Sequence, residues 1–241
     1  MINLSVIVIL NFFPPFNHFY EIWTQFAQET QKVYKNINFI FTTSHEIIGT
    51  EKCTPVQLPS GKIVYEHPDD EFRLISQVSE NYDSAILLKT WNAIEYTIMK
   101  HNPDFILRTN ACSIWHWDRY LQILDSLPQQ KIYGGFPFYH EYCPFISGAG
   151  TLMSKDMAQL LITFPITSKA DDVYIGEILH QKCQQYPSFH GKRLDNIDIN
   201  KTDQEILADT AQHYHIRFRR FFHQYDRVAG LAEKIRAKYD D

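Results

Sequence analysis

The sequence predicts a single α/β domain in which a mostly parallel central sheet is flanked by helices. Leu4–Leu10 is a continuous run of apolar, largely β-branched residues, which is typical of a strand buried on both faces. Residues 16–34 then carry apolar side chains at helical spacing, and Ile37–Thr42 is a second apolar run, so the chain opens as β–α–β. The 241 residues contain no repeat, low-complexity tract or obvious linker, so one domain is the simplest organisation.

The later elements follow in chain order. Residues 44–70 are polar and contain several prolines, which predicts loops with one short strand pair. Apolar periodicity then predicts helices at 82–101, 117–127, 155–164, 171–183 and 226–239, and strands at 104–109, 131–139 and 213–218, with a strand–turn–strand at 142–153.

Two local signals refine these elements. Gly134 and Gly135 lie inside the strand at 131–139 and indicate a bulge or a close backbone approach. Ser154 is a suitable N-cap for the helix that follows it.

Composition limits the classes of function. Hydrophobic residues make up 44% and charged residues 21%, as in ordinary globular domains. The net charge of −5 argues against a broad nucleic-acid interface. The first apolar run is too short to span a bilayer, so we expect no membrane span. Cys53, Cys112, Cys143 and Cys183 are scattered without CxxC spacing, which argues against structural zinc and favours a reducing, cytoplasmic location.

Three segments carry a recognisable order of residues. The first is Leu88-Lys89-Thr90, followed by the strand Phe105-Ile106-Leu107-Arg108-Thr109-Asn110. The second is Tyr142-Cys143-Pro144-Phe145-Ile146-Ser147-Gly148-Ala149-Gly150, with Ser154 and Asp156 after it. The third is Asp171-Asp172-Val173-Tyr174-Ile175-Gly176. In order and spacing they resemble the L-K-T helix, the Y-P-x-x-x-S-G-x-G segment and the E-D-V-Y-V-G segment of the beta-1,3-galactosyltransferase and Fringe-type glycosyltransferases.

The resemblance implies a GT-A-like, Rossmann-like domain over residues 1–241. Residues 1–110 would form its nucleotide-binding half, and residues 111–241 its acceptor-side half with the C-terminal helix. It further implies transfer of a sugar, with inversion, from a nucleotide-diphosphate sugar to a hydroxyl of a glycan or glycoconjugate. A UDP-sugar is the default donor because the relatives use it.

The acidic triplet of that family is missing. Its place is taken by Asn110-Ala111-Cys112, and these side chains do not replace two carboxylates as ligands for Mg²⁺ or Mn²⁺. We therefore expect no required cofactor and regard metal dependence as doubtful.

The general base is assigned by resemblance to Asp172, with Asp171 as the second candidate. Both also fit a simpler interpretation, in which first-turn acids complement the helix dipole.

Cations would then stabilise the departing diphosphate in place of a metal. Lys89 and Arg108 are candidates near the first segment, with a solvated helix residue and a salt-bridged strand end as the alternatives. Side chains alternate along a strand with a period of two, which places four more basic residues on one face: His213, His215, Arg217 and Arg219. The alternative interpretation is that these residues form the solvated face of an edge strand.

Other residues are candidates for holding the two substrates. Thr109 and Asn110, and more weakly Ser113, are candidates for binding the donor, although Asn110 also fits a turn. Ser147, Gly148, Ala149 and Gly150 allow close approach of the sugar or acceptor, although a plain hairpin turn has the same composition. An aromatic sugar platform is predicted from residues that equally suit a core: Trp115, Trp117, Tyr139 and Tyr142.

Two other functions are compatible in part. A catalytically inactive nucleotide-sugar-binding module would explain the missing acids. A nucleotidyltransferase needs a glycine-rich loop after the first strand. The residues there are Asn11-Phe12-Phe13-Pro14-Pro15, which contain no glycine and so argue against this function.

Overall fold

The computed structural model describes residues 2–10, 18–44, 52–78, 85–140, 143–180, 182, 193–194, 197, 200–210, 213–218 and 224–237. These residues form an α/β arrangement with one eight-stranded sheet, one three-stranded sheet and flanking helices. None of the helices in these ranges is both long and apolar enough to cross a membrane.

The described strands are β1 (Leu4–Ile9), β2 (Ile37–Ser44), β3 (Thr54–Gln57), β4 (Ile63–His67), β5 (Asp70–Ser76), β6 (Phe105–Asn110), β7 (Ser113–Trp115), β8 (Tyr133–His140), β9 (Cys143–Ser154), β10 (Arg193–Leu194) and β11 (His215–Arg217). The described helices are α1 (His18–Val33), α2 (Ala85–His101), α3 (Trp117–Asp125), α4 (Lys155–Leu161), α5 (Asp171–His180), α6 (Asp203–Thr210) and α7 (Tyr225–Ala237).

The large sheet is mixed, which corrects the expectation of a mostly parallel one. Its order is β3-β4-β5-β2-β1-β6-β9-β8. The four central strands β5, β2, β1 and β6 are parallel, whereas the outer pairings are antiparallel. Short loops join β3 to β4, β4 to β5 and β8 to β9, and a short loop can connect only antiparallel neighbours.

The described part of the segment 44–70, which is residue 44 and residues 52–70, contains more strands than predicted. Instead of one strand pair it contributes β3, β4 and the start of β5, in which Val56 pairs with Val64 and Tyr65 with Ile75. Pro55 is accommodated because β3 is an edge strand.

The predicted strand–turn–strand at 142–153 is instead one strand, β9, with an irregularity. Gly135 pairs with Thr151 and Pro137 pairs with Ile146. A two-residue advance along β8 therefore lies opposite a five-residue stretch of β9, which is the irregularity. Gly135 has a φ of 142°, and a Cβ there would lie 2.2 Å from the carbonyl oxygen of Gly150. The predicted bulge with close backbone approach is therefore confirmed.

The sheet separates two apolar layers. Leu4, Val6 and Val8 of β1 face the layer that includes α1, α3, α7 and β11. Ile7 and Ile9 face the layer of α2, α4 and α5. This alternation on a strand buried on both faces is what the apolar run at the start of the chain predicts.

The carboxyl ends of the parallel strands meet at one edge of the sheet. Ile9 at the end of β1 pairs with Asn110 at the end of β6 and with Thr42 of β2. Open α/β sheets place their ligands outside this edge, so the positions of β6 and its neighbours determine the candidate site.

Candidate functional site at the carboxyl edge of the sheet

The three segments singled out in the sequence meet at the end of β6. Arg108 Nη2 lies 2.6 Å from Asp171 Oδ2, which joins the first segment to the third. The backbone N–H of Gly148 donates to Asp172 Oδ2 at 3.1 Å, which joins the second segment to the third. Arg108 and Asp171, which are 63 positions apart along the chain, thus share one site.

Arg108 and Asp171 form a buried ion pair. Their side chains are only 3% and 9% exposed, and Thr90 Oγ1 donates to Asp171 Oδ2 at 3.3 Å. Burial raises the pKa of Asp171 above its usual range, and the charge of Arg108 opposes that rise. The Oδ2 atom of Asp171 therefore already accepts hydrogen bonds from side chains of β6 and α2.

Arg108 is engaged on its other side as well. Its Nη1 donates to Asn110 Oδ1 at 2.6 Å. Its Nε is buried, and no hydrogen-bond acceptor lies within reach among the residues that the structure describes. Both guanidinium Nη groups thus bind protein acceptors, and Asn110 accepts a hydrogen bond from one of them.

Asp172 is held differently from Asp171. It is half-buried, and its second oxygen, Oδ1, accepts the N–H of Val173 at 2.9 Å. With Gly148 bound to Oδ2, backbone N–H groups fix the orientation of the carboxylate, and no side-chain cation is paired with it among the described contacts. The two neighbouring acids of α5 therefore have distinct environments.

Gly148 is required by this geometry. A Cβ at this position would lie 2.6 Å from Arg108 Nη1 and 3.3 Å from Asp172 Cβ. Glycine allows the backbone of β9 to pass between the guanidinium and the start of α5.

A second cluster lies on the other side of β9. The ring of His215 stacks on Trp115 with centroids 4.0 Å apart, and both residues are 3% exposed. A Cβ at Gly150 would lie 2.9 Å from Trp115 and 3.0 Å from His215. Gly148 and Gly150 therefore make room for different clusters, one on either side of the strand.

Hydrogen bonds bind this second cluster to the strand ends. Thr109 Oγ1 donates to the carbonyl of Ala149 at 2.8 Å and accepts from Trp115 Nε1 at 3.1 Å. Ser113 Oγ donates to the same carbonyl at 3.3 Å and lies 3.0 Å from His215 Nε2. The last contact links the His215 ring to the Ser113 hydroxyl, so both side chains are held against the end of β9.

The cluster is tightly packed. Beside Trp115, Gly150 and His215 the cavity is only about 10 Å³, too small for a sugar ring. Trp117 is also buried, Tyr139 is 83% exposed at the end of β8, and Tyr142 lies outside the described residues. Of the predicted aromatic platform, Tyr139 alone is exposed among its described members.

The predicted basic face of residues 213–219 is shorter than expected. β11 spans only His215–Arg217, and it is the middle strand of the small sheet β10-β11-β7, which corrects the edge-strand alternative. His213 precedes it, and its Nδ1 lies 2.7 Å from the carbonyl of Asp209 near the end of α6. Arg217 is half-buried and pairs with Ser113, and Arg219 lies outside the described residues.

Lys89 is buried, which corrects the alternative interpretation of a solvated helix residue. Its side chain is about 1% exposed, and Nζ donates to the carbonyl of Leu10 at 3.2 Å, just beyond the end of β1. Its ammonium group thus lies at the same edge of the sheet as Arg108.

The Asn110-Ala111-Cys112 segment does not fit a divalent cation. Ala111 and Cys112 are buried, and the carbonyl of Ala111 accepts a hydrogen bond from Trp23 Nε1 at 2.8 Å. Within the described ranges no group of three or more His, Cys, Asp or Glu side chains is arranged to hold a metal. The donor set is therefore an amide and a thiol, which suit Mg²⁺ or Mn²⁺ poorly.

The sequence analysis did not predict that Thr90 and Val173 bind the two aspartates of this site. Thr90 belongs to the first segment, but its bond to Asp171 from one turn inside α2 was not anticipated. Val173 contributes through its backbone N–H, which carries no side-chain signal.

No protein-family model matches the chain, and neither does any curated protein.

Proposed function

We propose that this protein is an inverting glycosyltransferase that moves a sugar from a nucleotide-diphosphate sugar to a hydroxyl of a glycan or glycoconjugate. The same proposal takes the domain as GT-A-like, the donor as a UDP-sugar by default and the location as cytoplasmic. The observation that carries it is the contact between Gly148 N and Asp172 Oδ2. It brings two separate segments of the resemblance together at the edge where α/β sheets bind ligands.

Asp172 is the better candidate for the general base. Asp171 Oδ2 already accepts bonds from Arg108 and Thr90, whereas Asp172 is half-buried and bound only by backbone N–H groups among its described contacts. A base must reach the proton of the acceptor hydroxyl, and partial exposure allows this.

The chemical step is a single displacement. The acceptor oxygen attacks the anomeric carbon, its proton passes to the Asp172 carboxylate, and the bond to the diphosphate breaks with the electron pair leaving on the diphosphate. Attack on the face opposite the leaving group inverts the carbon.

The negative charge on the leaving group then requires nearby cations. Arg108 is bound to Asp171 and Asn110, so we assign it to positioning the start of α5 rather than to the diphosphate. Lys89 on α2 and Arg217 on β11 are the remaining described candidates for binding the diphosphate, and His215 lies two residues before Arg217 on β11.

The experiment is a turnover screen of the purified protein. UDP-, GDP- and dTDP-sugars are each combined with simple glycoside acceptors, and release of the nucleoside diphosphate is measured with and without EDTA. We expect turnover with at least one donor that survives EDTA. Loss of all turnover on chelation, with recovery on adding Mn²⁺, would contradict the cation-based step.

An inactive nucleotide-sugar-binding module is the second candidate. It is favoured by one observation, namely that Asn110 takes the place of an acid and is itself bound to Arg108. Calorimetric binding of a UDP-sugar without turnover in the same screen would select this function.

A further inference from the structure

A cavity lies at the opposite end of the strands from the candidate site. Its volume is about 370 Å³, within the range of roughly 300–1,000 Å³ of small-molecule sites. It is lined by the start of β2, the end of β4, the start of β5 and the last turn of α2. It therefore belongs to the amino edge of the sheet and shares no lining residue with the candidate active site.

The cavity exists because two neighbouring strands diverge. β2 begins at Ile37, but its pairing with β5 begins only at Phe41 opposite Arg73. The first four residues of β2 thus lack a β5 partner in the ladder.

This divergence leaves backbone groups facing the cavity. Leu4 N–H donates to the carbonyl of Asn36, and Leu10 N–H donates to that of Thr42, so the even-numbered residues of β2 direct their backbone groups to β1. Backbone groups alternate between the two sides of a strand. Phe39, which lines the cavity, consequently directs its N–H and C=O away from β1 and towards the cavity side.

The charged groups of the lining are paired with one another. Asp70 and Arg73 form one ion pair at 3.0 Å, with side chains only 9% and 13% exposed. Glu66 and Lys100 form a second at 2.5 Å nearer the surface, and Glu66 also accepts the hydroxyl of Tyr96 at 2.6 Å.

This balance selects the type of ligand. Since the cations are matched by acids and Glu71 adds a further negative charge, the cavity offers no surplus positive charge for a phosphate or carboxylate. Carboxylates, ammonium groups and backbone groups outside the β2–β5 ladder offer both acceptors and donors, which suits hydroxyl groups because each hydroxyl both donates and accepts. The rings of Phe39, Phe72 and Tyr96 supply apolar surface beside them.

We propose that this amino-edge cavity, between the start of β2 and the start of β5, is a binding site for an uncharged carbohydrate. The backbone groups of Phe39, which lie outside the β2–β5 ladder, and the polar atoms of the Glu66–Lys100 pair bind its hydroxyls, and the aromatic rings contact its C–H faces. The inference stands independently of the proposed transferase activity.

The test is binding of neutral methyl glycosides of glucose, galactose, mannose and N-acetylglucosamine, measured by saturation-transfer NMR and calorimetry on the full chain. We expect at least one to bind, and Glu66→Ala to weaken it roughly threefold to tenfold, as for the loss of one or two hydrogen bonds. Glu71→Trp, at an exposed position of the lining, blocks entry without removing a buried group.

Two controls make the result specific. Glu29→Ala removes an exposed acid from an ion pair with Lys32 outside the cavity and leaves binding unchanged. Asp226→Asn also leaves it unchanged, because Asp226 is exposed on α7 and does not line the cavity. Absence of binding by all four glycosides would overturn the proposal. So would binding by Glu66→Ala and Glu71→Trp that is as tight as that of the unmodified protein, or tighter binding of glucose 6-phosphate than of glucose.

Discussion

Gly148 lies so close to Arg108 that a Cβ at the glycine would approach Nη1 to 2.6 Å. Because the guanidinium is fixed by Asp171 and Asn110, it cannot move aside without breaking a buried ion pair. The start of α5 and the middle of β9 are thus packed together around one residue that has no side chain.

The first prediction concerns this contact. Gly148→Ala lowers the free energy of unfolding by about 1–3 kcal/mol, as is usual for overpacking, and lowers turnover by displacing Asp172. Chemical denaturation measures the first effect and nucleoside-diphosphate release the second.

The matched control is Gly230→Ala in α7. A Cβ there meets no atom within 4 Å, so the change raises stability by about 0.5–1 kcal/mol through helix propensity. Equal effects of the two substitutions would show that Gly148 is not constrained by Arg108.

The second prediction concerns the buried ion pair. Arg108→Met or Asp171→Leu alone destabilises the protein by about 3–5 kcal/mol, because each leaves the buried charge of the other residue without its partner. The double variant Arg108→Met with Asp171→Leu recovers part of this loss, which a double-mutant cycle measures.

For comparison, Lys169→Met breaks the pair with Glu177, whose side chains are 52% and 33% exposed. An exposed pair of this kind contributes at most about 1 kcal/mol. A similar loss at both pairs would contradict the role of burial at Arg108.

The third prediction concerns the proposed base. Asp172→Asn abolishes transfer, since the amide cannot take up the acceptor proton, while donor affinity and the unfolding midpoint change little. Turnover and calorimetric donor binding are measured on the same preparation.

Asp226→Asn is the control, because Asp226 is likewise the second residue of a helix and is exposed on α7. It keeps full turnover. Retained turnover in Asp172→Asn would remove Asp172 from the mechanism and turn attention to the inactive-module alternative.

The fourth prediction concerns pH and His116, which precedes α3 and is 5% exposed. Burial, assisted by the nearby charge of Arg119, lowers the pKa of His116 to about 4. The unfolded chain takes up this proton near pH 6.5 and the folded protein only near pH 4, so stability falls as the pH drops through that window.

Replacing His116 with Asn removes this contribution. The slope of the free energy of unfolding against pH between 6.5 and 4 becomes smaller by up to about 1.4 kcal/mol per pH unit. An unchanged slope, measured by urea denaturation at several pH values, would show that folding does not lower the pKa of His116.

Strong periodicity made much of the fold accessible from the sequence. The predicted first strand, first two helices and β6 each agree with the structure to within a few residues, because long apolar repeats specify burial directly. β7, β10 and α6 were not predicted. Two- and three-residue strands carry no periodicity, and the pairing of Ser113 with Arg217 joins residues far apart in the chain.

The site shows the same division. The resemblance identified Asp171 and Asp172 together, but only the fold separates them, because Arg108 reaches one and Gly148 the other. Likewise, the side-chain alternation that placed His215 and Arg217 on one face did not reveal that Trp115 covers the histidine.

The insertion of β6 beside β1 has a consequence for biosynthesis. Leu4 pairs with Phe105, so one side of the first strand has no neighbour until more than a hundred residues have left the ribosome. During that interval an apolar strand edge is open to other chains, which favours aggregation and engagement by chaperones. Nascent chains halted before β6 emerges should therefore be markedly more prone to aggregation than chains halted after it.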